Sequence, residues 1–372
     1  MKSTHPGKSN IPARLSAASS PGESEFSATL QITHTPALPP VNWGAAGAQA
    51  PTLLSTPADT LPGAAVVVLV WTEAEWAALE HVFCSSATAM PYENRNNGSW
   101  SGWQTYSEDI PAVAGWTFWG DYRLVQIGTS KVLLFKSNTH LDFPGESYLE
   151  QLISRLIATV KPQLILSTGT AGGARPTDHI GTVNVVRAGT LYESGRPQAS
   201  WPEYMSPWTA NWKLFSAAGF SQLLFPVPTV AADLASLCSQ FNTFYKSKYP
   251  LTTLNVGGLD MADPSPIIND MTGGNTSLLT ADSFLVGTSS GNLGAFACVE
   301  MDDAVIAETC VAANVAFGSV RNISDPVQNA SLPPAFQAHW GQAVYDAYGF
   351  YTSYNGAIAA WAILSAQLQS AQ

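Results

Sequence analysis

Two rhythms of apolar residues alternate along this chain. Residues 65–70 are a continuous run, Ala-Val-Val-Val-Leu-Val, with no polar interruption. A β-branched run of that kind marks a strand buried on both faces. Thr72 then opens a stretch in which Trp76, Leu79, Val82 and Phe83 recur at helical spacing, which predicts a helix. Residues 124–127 and 132–135 read as neighbouring strands joined by a short turn. A helix is predicted over 147–160, leading through Lys161-Pro162 into a strand over 163–167, with another strand at 183–186. Later, strands over 277–280, 295–299 and 316–321 flank a helix over 302–314. A last helix over 336–367 is expected to break near Tyr354-Asn355-Gly356. Buried strands alternating with helices predict an α/β fold, a three-layer α/β/α sandwich around a central mixed sheet.

The ends and the middle have a different texture. Residues 1–62 are rich in Ser, Thr, Pro, Ala and Gly, and are expected to form an extended or disordered arm ahead of one domain over 63–372. Within the arm, residues 26–32 alternate with period two and could add an edge strand. The segment 190–275 holds Trp201, Trp208 and Trp212 among several prolines, with helix-like stretches at 209–218 and 231–248.

Composition narrows the function. Hydrophobic residues make up 46% of the 372, enough for a large core, and charged residues only 12%, against about 25% in an average chain. The net charge of −11 excludes a function that rests on neutralising many phosphates, so no nucleic-acid partner is expected. No apolar run reaches the ~18 residues of a membrane span, so no membrane partner is expected either. Lys2, Lys8 and Arg14 are not followed by the apolar core of a secretory signal. Cys84, Cys238, Cys298 and Cys310 are scattered, with neither a CxxC pair nor metal-ligand spacing. The expectation is a cytoplasmic protein with reduced thiols, no metal and no cofactor.

Four segments carry candidate chemistry. Thr72-Glu73-Ala74-Glu75 stands at a strand-to-helix junction, where Thr-x-x-Glu is also an ordinary capping box. Thr168-Gly169-Thr170-Ala171-Gly172-Gly173 follows a buried strand, where glycines let backbone amides approach a ligand, or simply make a tight turn. No Gly-Lys-Ser/Thr follows, which excludes a P-loop. Val299-Glu300-Met301-Asp302-Asp303 puts three carboxylates at a helix start; one could cap, and the others need a ligand, a cation or solvent. Arg321-Asn322-Ile323-Ser324-Asp325-Pro326 ends a strand in a polar cluster, with Asp-Pro a common turn opener.

In this order and combination the segments resemble the nucleoside phosphorylase/nucleosidase superfamily, most closely its methylthioadenosine/S-adenosylhomocysteine nucleosidase branch. The resemblance covers residues 64–173 and 277–330. It implies an N-glycosyl hydrolase that releases the base of a purine nucleoside, with Glu75 activating water and Asp325 protonating the leaving purine. It implies further that Thr170 and Arg321 hold the water, and that Glu300, Met301 and Asp302 form the ribose-binding segment. Phe284, in Thr280-Ala281-Asp282-Ser283-Phe284, would stack on the base beside Leu285, with Ser324 supporting Asp325. A homo-oligomer is expected on the same ground.

Chemistry alone makes sense of these residue types. Breaking an N-glycosidic bond needs an acid on the base side and a carboxylate that activates water on the opposite face, a division of labour shared with glycoside hydrolysis. The chain departs from the family pattern in three places: Asp302 replaces the usual glutamate, Thr72 a methionine, and Asn138-Thr139-His140 a Gly-Ile-Gly-Lys stretch. A phosphate-dependent phosphorylase is the alternative enzyme, but the chain lacks the arginines those enzymes place before the Gly-Thr segment and in the early loop. A non-catalytic nucleoside-binding or storage relative is the alternative of another class, against which the retention of both Glu75 and Asp325 speaks.

Overall fold

The computed structural model describes residues 26, 29–113, 115–175, 177–213, 219–255, 266–281 and 291–369. Its strands, in chain order, are β1 (Thr52–Leu53), β2 (Val66–Val70), β3 (Gln104–Tyr106), β4 (Gly120–Ile127), β5 (Ser130–Ser137), β6 (Leu164–Gly173) and β7 (Val183–Val186). They continue as β8 (Ala188–Leu191), β9 (Glu203–Met205), β10 (Ile268–Asp270), β11 (Leu278–Thr280), β12 (Val299–Glu300) and β13 (Ala316–Pro326). The helices are α1 (Glu73–Cys84), α2 (Glu146–Val160), α3 (Ala231–Phe244), α4 (Leu251–Leu254), α5 (Asp303–Ala312) and α6 (Pro334–Gln369).

All the strands named join in one mixed sheet. Every residue of β2 is buried, and the strand runs parallel to β5 on one side and β6 on the other. Burial on both faces is what its unbroken apolar run requires. β13 runs parallel to β6 and antiparallel to β7, while β4 returns antiparallel to β5. Trp76, Leu79 and Val82 of α1 share one core with Ile358 and Trp361 of α6 on one face. Leu149, Leu152 and Leu156 of α2 meet Val305 and Ile306 of α5 on the other. The three-layer α/β/α sandwich is therefore as its pattern predicts.

Several expected boundaries move. Among the described residues of 26–32 there is no strand: Phe26 and Thr29 are helical, and the edge beside β4 is taken by β1. Leu38, Val41 and Ala46 sink into the core beside α1 and α6, and Leu38 exchanges backbone bonds with Met90. This part of the 1–62 segment lies against the domain. The 209–218 stretch falls partly outside the described residues.

Two strands run longer than expected. β6 does not stop at Ser167 but continues through Gly173, and β13 continues from Arg321 to Pro326. Each supplies the other's backbone partners over this length, so two segments that look like loops in isolation are one paired ladder. α6 is unbroken through 354–356. Tyr354 Oη donates to the Leu223 carbonyl, and the Asn355 amide spans the backbone N–H and C=O of Phe225. The polar groups that suggested a break are thus engaged elsewhere. No helix among the described residues is long and apolar enough to cross a membrane.

Candidate active site

Glu75 sits at the N-terminus of α1 and is 4% exposed. Its Oε2 accepts from the backbone N–H of Trp71 at 2.8 Å and of Thr72 at 2.9 Å, while Thr72 Oγ1 accepts from the Glu75 N–H at 3.3 Å. That is a complete capping box. The other oxygen, Oε1, accepts from both the N–H and the hydroxyl of Thr170, each at 2.7 Å. A carboxylate has about four lone-pair sites, so both oxygens of Glu75 are filled.

The second half of β6 is shaped by this contact. A Cβ on Gly169 would lie 2.9 Å from Glu75 Oε1 and 2.7 Å from Arg321 Nη1, and one on Gly172 would collide with Val327. Only glycine lets these side chains lean over the strand. Across the ladder, Arg321 faces Gly169 and Asp325 faces Gly172, with a register shift between Ile323 and Asp325. The bulge delays Asp325 by one position and re-aims it.

Asp325 is 6% exposed. Ser324 Oγ donates to its Oδ1 at 2.6 Å, and Oδ2 has no hydrogen-bond partner among the described residues. Burial pushes the Asp325 carboxyl up to about 7, against the lowering bond from Ser324 and with a further upward push from Asp346. A buried carboxylic acid with one free oxygen is equipped to give a proton near neutral pH.

The three carboxylates at 300–303 all find partners inside the protein, which corrects the expectation that some must wait for a ligand, a cation or solvent. Glu300 caps α5 from two residues ahead, accepting from the N–H of Asp302 at 2.7 Å and of Asp303 at 3.0 Å, and from the Thr280 hydroxyl. Burial and the neighbouring Asp303 carboxylate push Glu300 upward, against the pull of Arg321. Asp302 accepts from the Leu141 N–H at 2.9 Å through Oδ1 and meets His140 Nδ1 at 3.0 Å through Oδ2. Burial alone would lower the His140 pKa; Asp302 beside it more than compensates and holds it above the ordinary value. Met301 is half-buried between these neighbours.

Asp303 clamps Arg321. Its Oδ2 accepts from Nε at 2.8 Å and its Oδ1 from Nη2 at 2.6 Å, the bidentate geometry that suits a guanidinium. Nη2 also donates to Ser167 Oγ at 2.8 Å and lies 3.1 Å from Glu300 Oε2; Nη1 donates to the Thr170 carbonyl at 3.3 Å. Nη1 has a second N–H with no hydrogen bond to a described residue. Burial disfavours the Arg321 charge, yet Asp303 and Glu300 outweigh it and raise the guanidinium further above its already high value.

Of the residues singled out in the sequence, Glu75, Thr170, Arg321, Ser324 and Asp325 lie along the β6–β13 ladder, with Glu300 beside Arg321 and Asp302 turned to His140 and Leu141. Phe284 and Leu285 lie outside the described residues. Three further groups had not been singled out: Asp303 as the partner of Arg321, His140 as the partner of Asp302, and Tyr345. Burial pushes the Tyr345 phenol well up; it lies within reach of the Thr72 side chain and feels the charges of Glu75 and Asp325. Tyr345 also lines a cavity of about 500 Å³ with Ala74, Tyr92 and Arg95. No local motif signals it, because a tyrosine inside a long helix carries no positional mark. Among the described residues, the acidic side chains grouped closely enough to hold a metal ion are Glu146, Glu150 and Glu308, which include none of the site residues.

No protein-family model matches the chain, and no curated protein does. Among solved structures, the chain is similar to 5′-methylthioadenosine/S-adenosylhomocysteine nucleosidase from Neisseria meningitidis in complex with methylthio-immucillin-A, at 13% identity and a TM-score of 0.43. That alignment covers 81% of this chain and 99% of the other. S-adenosylhomocysteine nucleosidase from Streptococcus pyogenes is similar at 15% identity and a TM-score of 0.42, covering 82% and 98%. Futalosine hydrolase from Helicobacter pylori is similar at 12% identity and a TM-score of 0.43, covering 80% and 96%. At such values neither a substrate nor a residue's role carries over.

Proposed function

We propose that this chain is a purine nucleosidase, hydrolysing the N-glycosidic bond of an adenine-type nucleoside to free base and sugar. The observation that supports this best is that Glu75 and Asp325 lean over the same strand, at Gly169 and Gly172. Their anchor points on β6, Thr170 and Gly172, are two residues apart, or ~7 Å at the rise of a strand. A sugar seated between them has a proton acceptor on one side and a proton donor on the other.

In this reading Asp325 gives its proton to the purine as the bond to C1′ breaks, so the base leaves neutral. Water beside Thr170 and the spare N–H of Arg321 attacks C1′. Because the lone pairs of Glu75 are filled, the proton leaves water through the Thr170 hydroxyl, which passes its own to Glu75 Oε1. The sugar then carries the new hydroxyl, Glu75 is protonated, Asp325 is ionised, and exchange with solvent resets both. Glu300, Met301 and Asp302 form the ribose wall, with Ser324 on the base side. Arg321 is too fully engaged with Asp303, Ser167 and Thr170 to bind a phosphate, which prefers several charge-assisted bonds. That engagement supports water as the co-substrate in this reading.

The test is release of free base from adenosine and related purine nucleosides in phosphate-free buffer. The expected result is free adenine, at a rate that added phosphate leaves unchanged. No release, or release only with phosphate, overturns the proposal.

A further inference from the structure

Across the Trp71 indole from Arg321 lies a polar atom that no described residue engages. His140 is 8% exposed, its Nδ1 is taken by Asp302, and its Nε2 is buried without a hydrogen-bond partner among the described residues. Every carboxylate of the 300–303 segment is meanwhile engaged by backbone N–H groups, Arg321 or His140 itself. A buried nitrogen left open is unusual, because interiors satisfy their polar groups.

Asp302 holds the ring, and the backbone on either side of it is tied down. Trp71 Nε1 donates to the Thr139 carbonyl at 3.1 Å, Ser137 Oγ donates to the same carbonyl at 2.8 Å, and Asp302 ties down both the Leu141 N–H and the imidazole. The Trp71 indole has the imidazole 6.1 Å from it and the Arg321 guanidinium 5.2 Å from it, and the Trp71 backbone N–H donates to Glu75. His140 and Arg321 therefore pack against the same indole, and the imidazole is fixed in orientation, with Nε2 buried and without a hydrogen-bond partner among the described residues. An aspartate that fixes one ring nitrogen so that the other can act is a general use of histidine.

We propose that His140, positioned by Asp302, offers Nε2 to the sugar hydroxyls of the substrate and sets a preference for a ribo over a deoxyribo sugar. A hydroxyl suits this atom in either state of the ring, since it can donate to a neutral Nε2 or accept from Nε2–H. The inference rests on the nucleosidase reading for the identity of the ligand, and its test keeps the two apart.

The experiment measures calorimetric binding and, separately, cleavage of adenosine, 2′-deoxyadenosine and 3′-deoxyadenosine by wild type and by His140→Asn and His140→Gln. Asparagine can keep the bond to Asp302 but cannot reach the Nε2 position; the longer glutamine amide can. Wild type is expected to bind adenosine about 10-fold more tightly than at least one deoxy analogue, a fair return for one buried hydrogen bond. In His140→Asn that ratio collapses towards one through weaker adenosine binding alone, and His140→Gln restores part of it. A ratio that survives in His140→Asn, or an equal loss on all three nucleosides, overturns the proposal. Should His140→Asn not fold, Asp302→Asn replaces it: freeing the ring must lower the same ratio, and an unchanged ratio overturns the proposal equally. Ribo-selective binding without cleavage leaves His140 in place and removes the nucleosidase reading. Cleavage with no ribo selectivity does the reverse, and no binding by wild type removes both.

Discussion

Glu75 and Thr170, 95 residues apart in the chain, meet twice: the backbone N–H and the hydroxyl of Thr170 both donate to Glu75 Oε1 at 2.7 Å. The same carboxylate closes the capping box of α1 through its other oxygen. Helix cap and candidate base are thus one group, and a substitution there acts on both.

Glu75→Gln separates the two roles less cleanly than its sequence context suggests. Glutamine can keep the bond to the Thr72 amide, but its NH₂ would then face the N–H and hydroxyl of Thr170. Activity is expected to fall about 10²-fold or more, and stability by about 1–3 kcal/mol for the buried donors left unsatisfied. Base release and thermal melting measured on the same preparation check this; full activity would remove Glu75 from the mechanism.

Thr170→Val keeps the backbone bond to Glu75 and removes the hydroxyl. If that hydroxyl relays the proton from water, kcat falls by ~10²-fold with KM little changed. Thr170→Ser should remain close to wild type. Equal kcat values for the valine and serine variants would show that water reaches Glu75 without the relay.

Asp325→Asn is expected to abolish turnover, since an amide cannot deliver the proton. In wild type, the rate should decline as pH rises through about 7, where Asp325 loses that proton. Stability moves with it. The folded-state value lies above the ~3.9 of an unfolded aspartate, so the folded protein holds the proton more tightly. Wild-type stability therefore falls as pH rises from about 4 to about 7, and this contribution is flat above. Asp325→Asn lacks that fall and should be more stable than wild type at pH 8.5, by an amount on the order of 4 kcal/mol at most. Melting curves across that range decide it; parallel curves for the two proteins would contradict the raised acid.

Asp303→Asn leaves Arg321 buried without its bidentate partner. Breaking a buried pair from one side costs about 3–5 kcal/mol, so chemical denaturation should show a loss of that size. Asp302→Asn, whose partners are His140 and one backbone N–H, should cost less. An unmoved denaturation midpoint in Asp303→Asn would mean that Glu300 alone suffices to hold the guanidinium.

Much of this was legible in the chain. The valine run of β2, the Thr72–Glu75 junction and the helix after Glu300 follow from patterns spanning a few residues, and backbone geometry obeys such local patterns. The resemblance of the four segments to the nucleosidases pointed to Glu75, Thr170, Arg321 and Asp325, which remain candidates. What it could not say is whom each one meets. Which of Glu300, Asp302 and Asp303 caps the helix, takes His140 or holds Arg321 depends on how α5 enters the sheet beside β6 and β13. The Gly-rich segment reads as a loop until β13 is seen alongside it, because glycines that admit a neighbouring side chain look the same in sequence as glycines that make a turn. Hydrogen bonds between residues 95 or more apart, such as Glu75 to Thr170 and His140 to Asp302, are set by strand register and layer packing. Those are properties of the assembled sheet, and no short segment contains them.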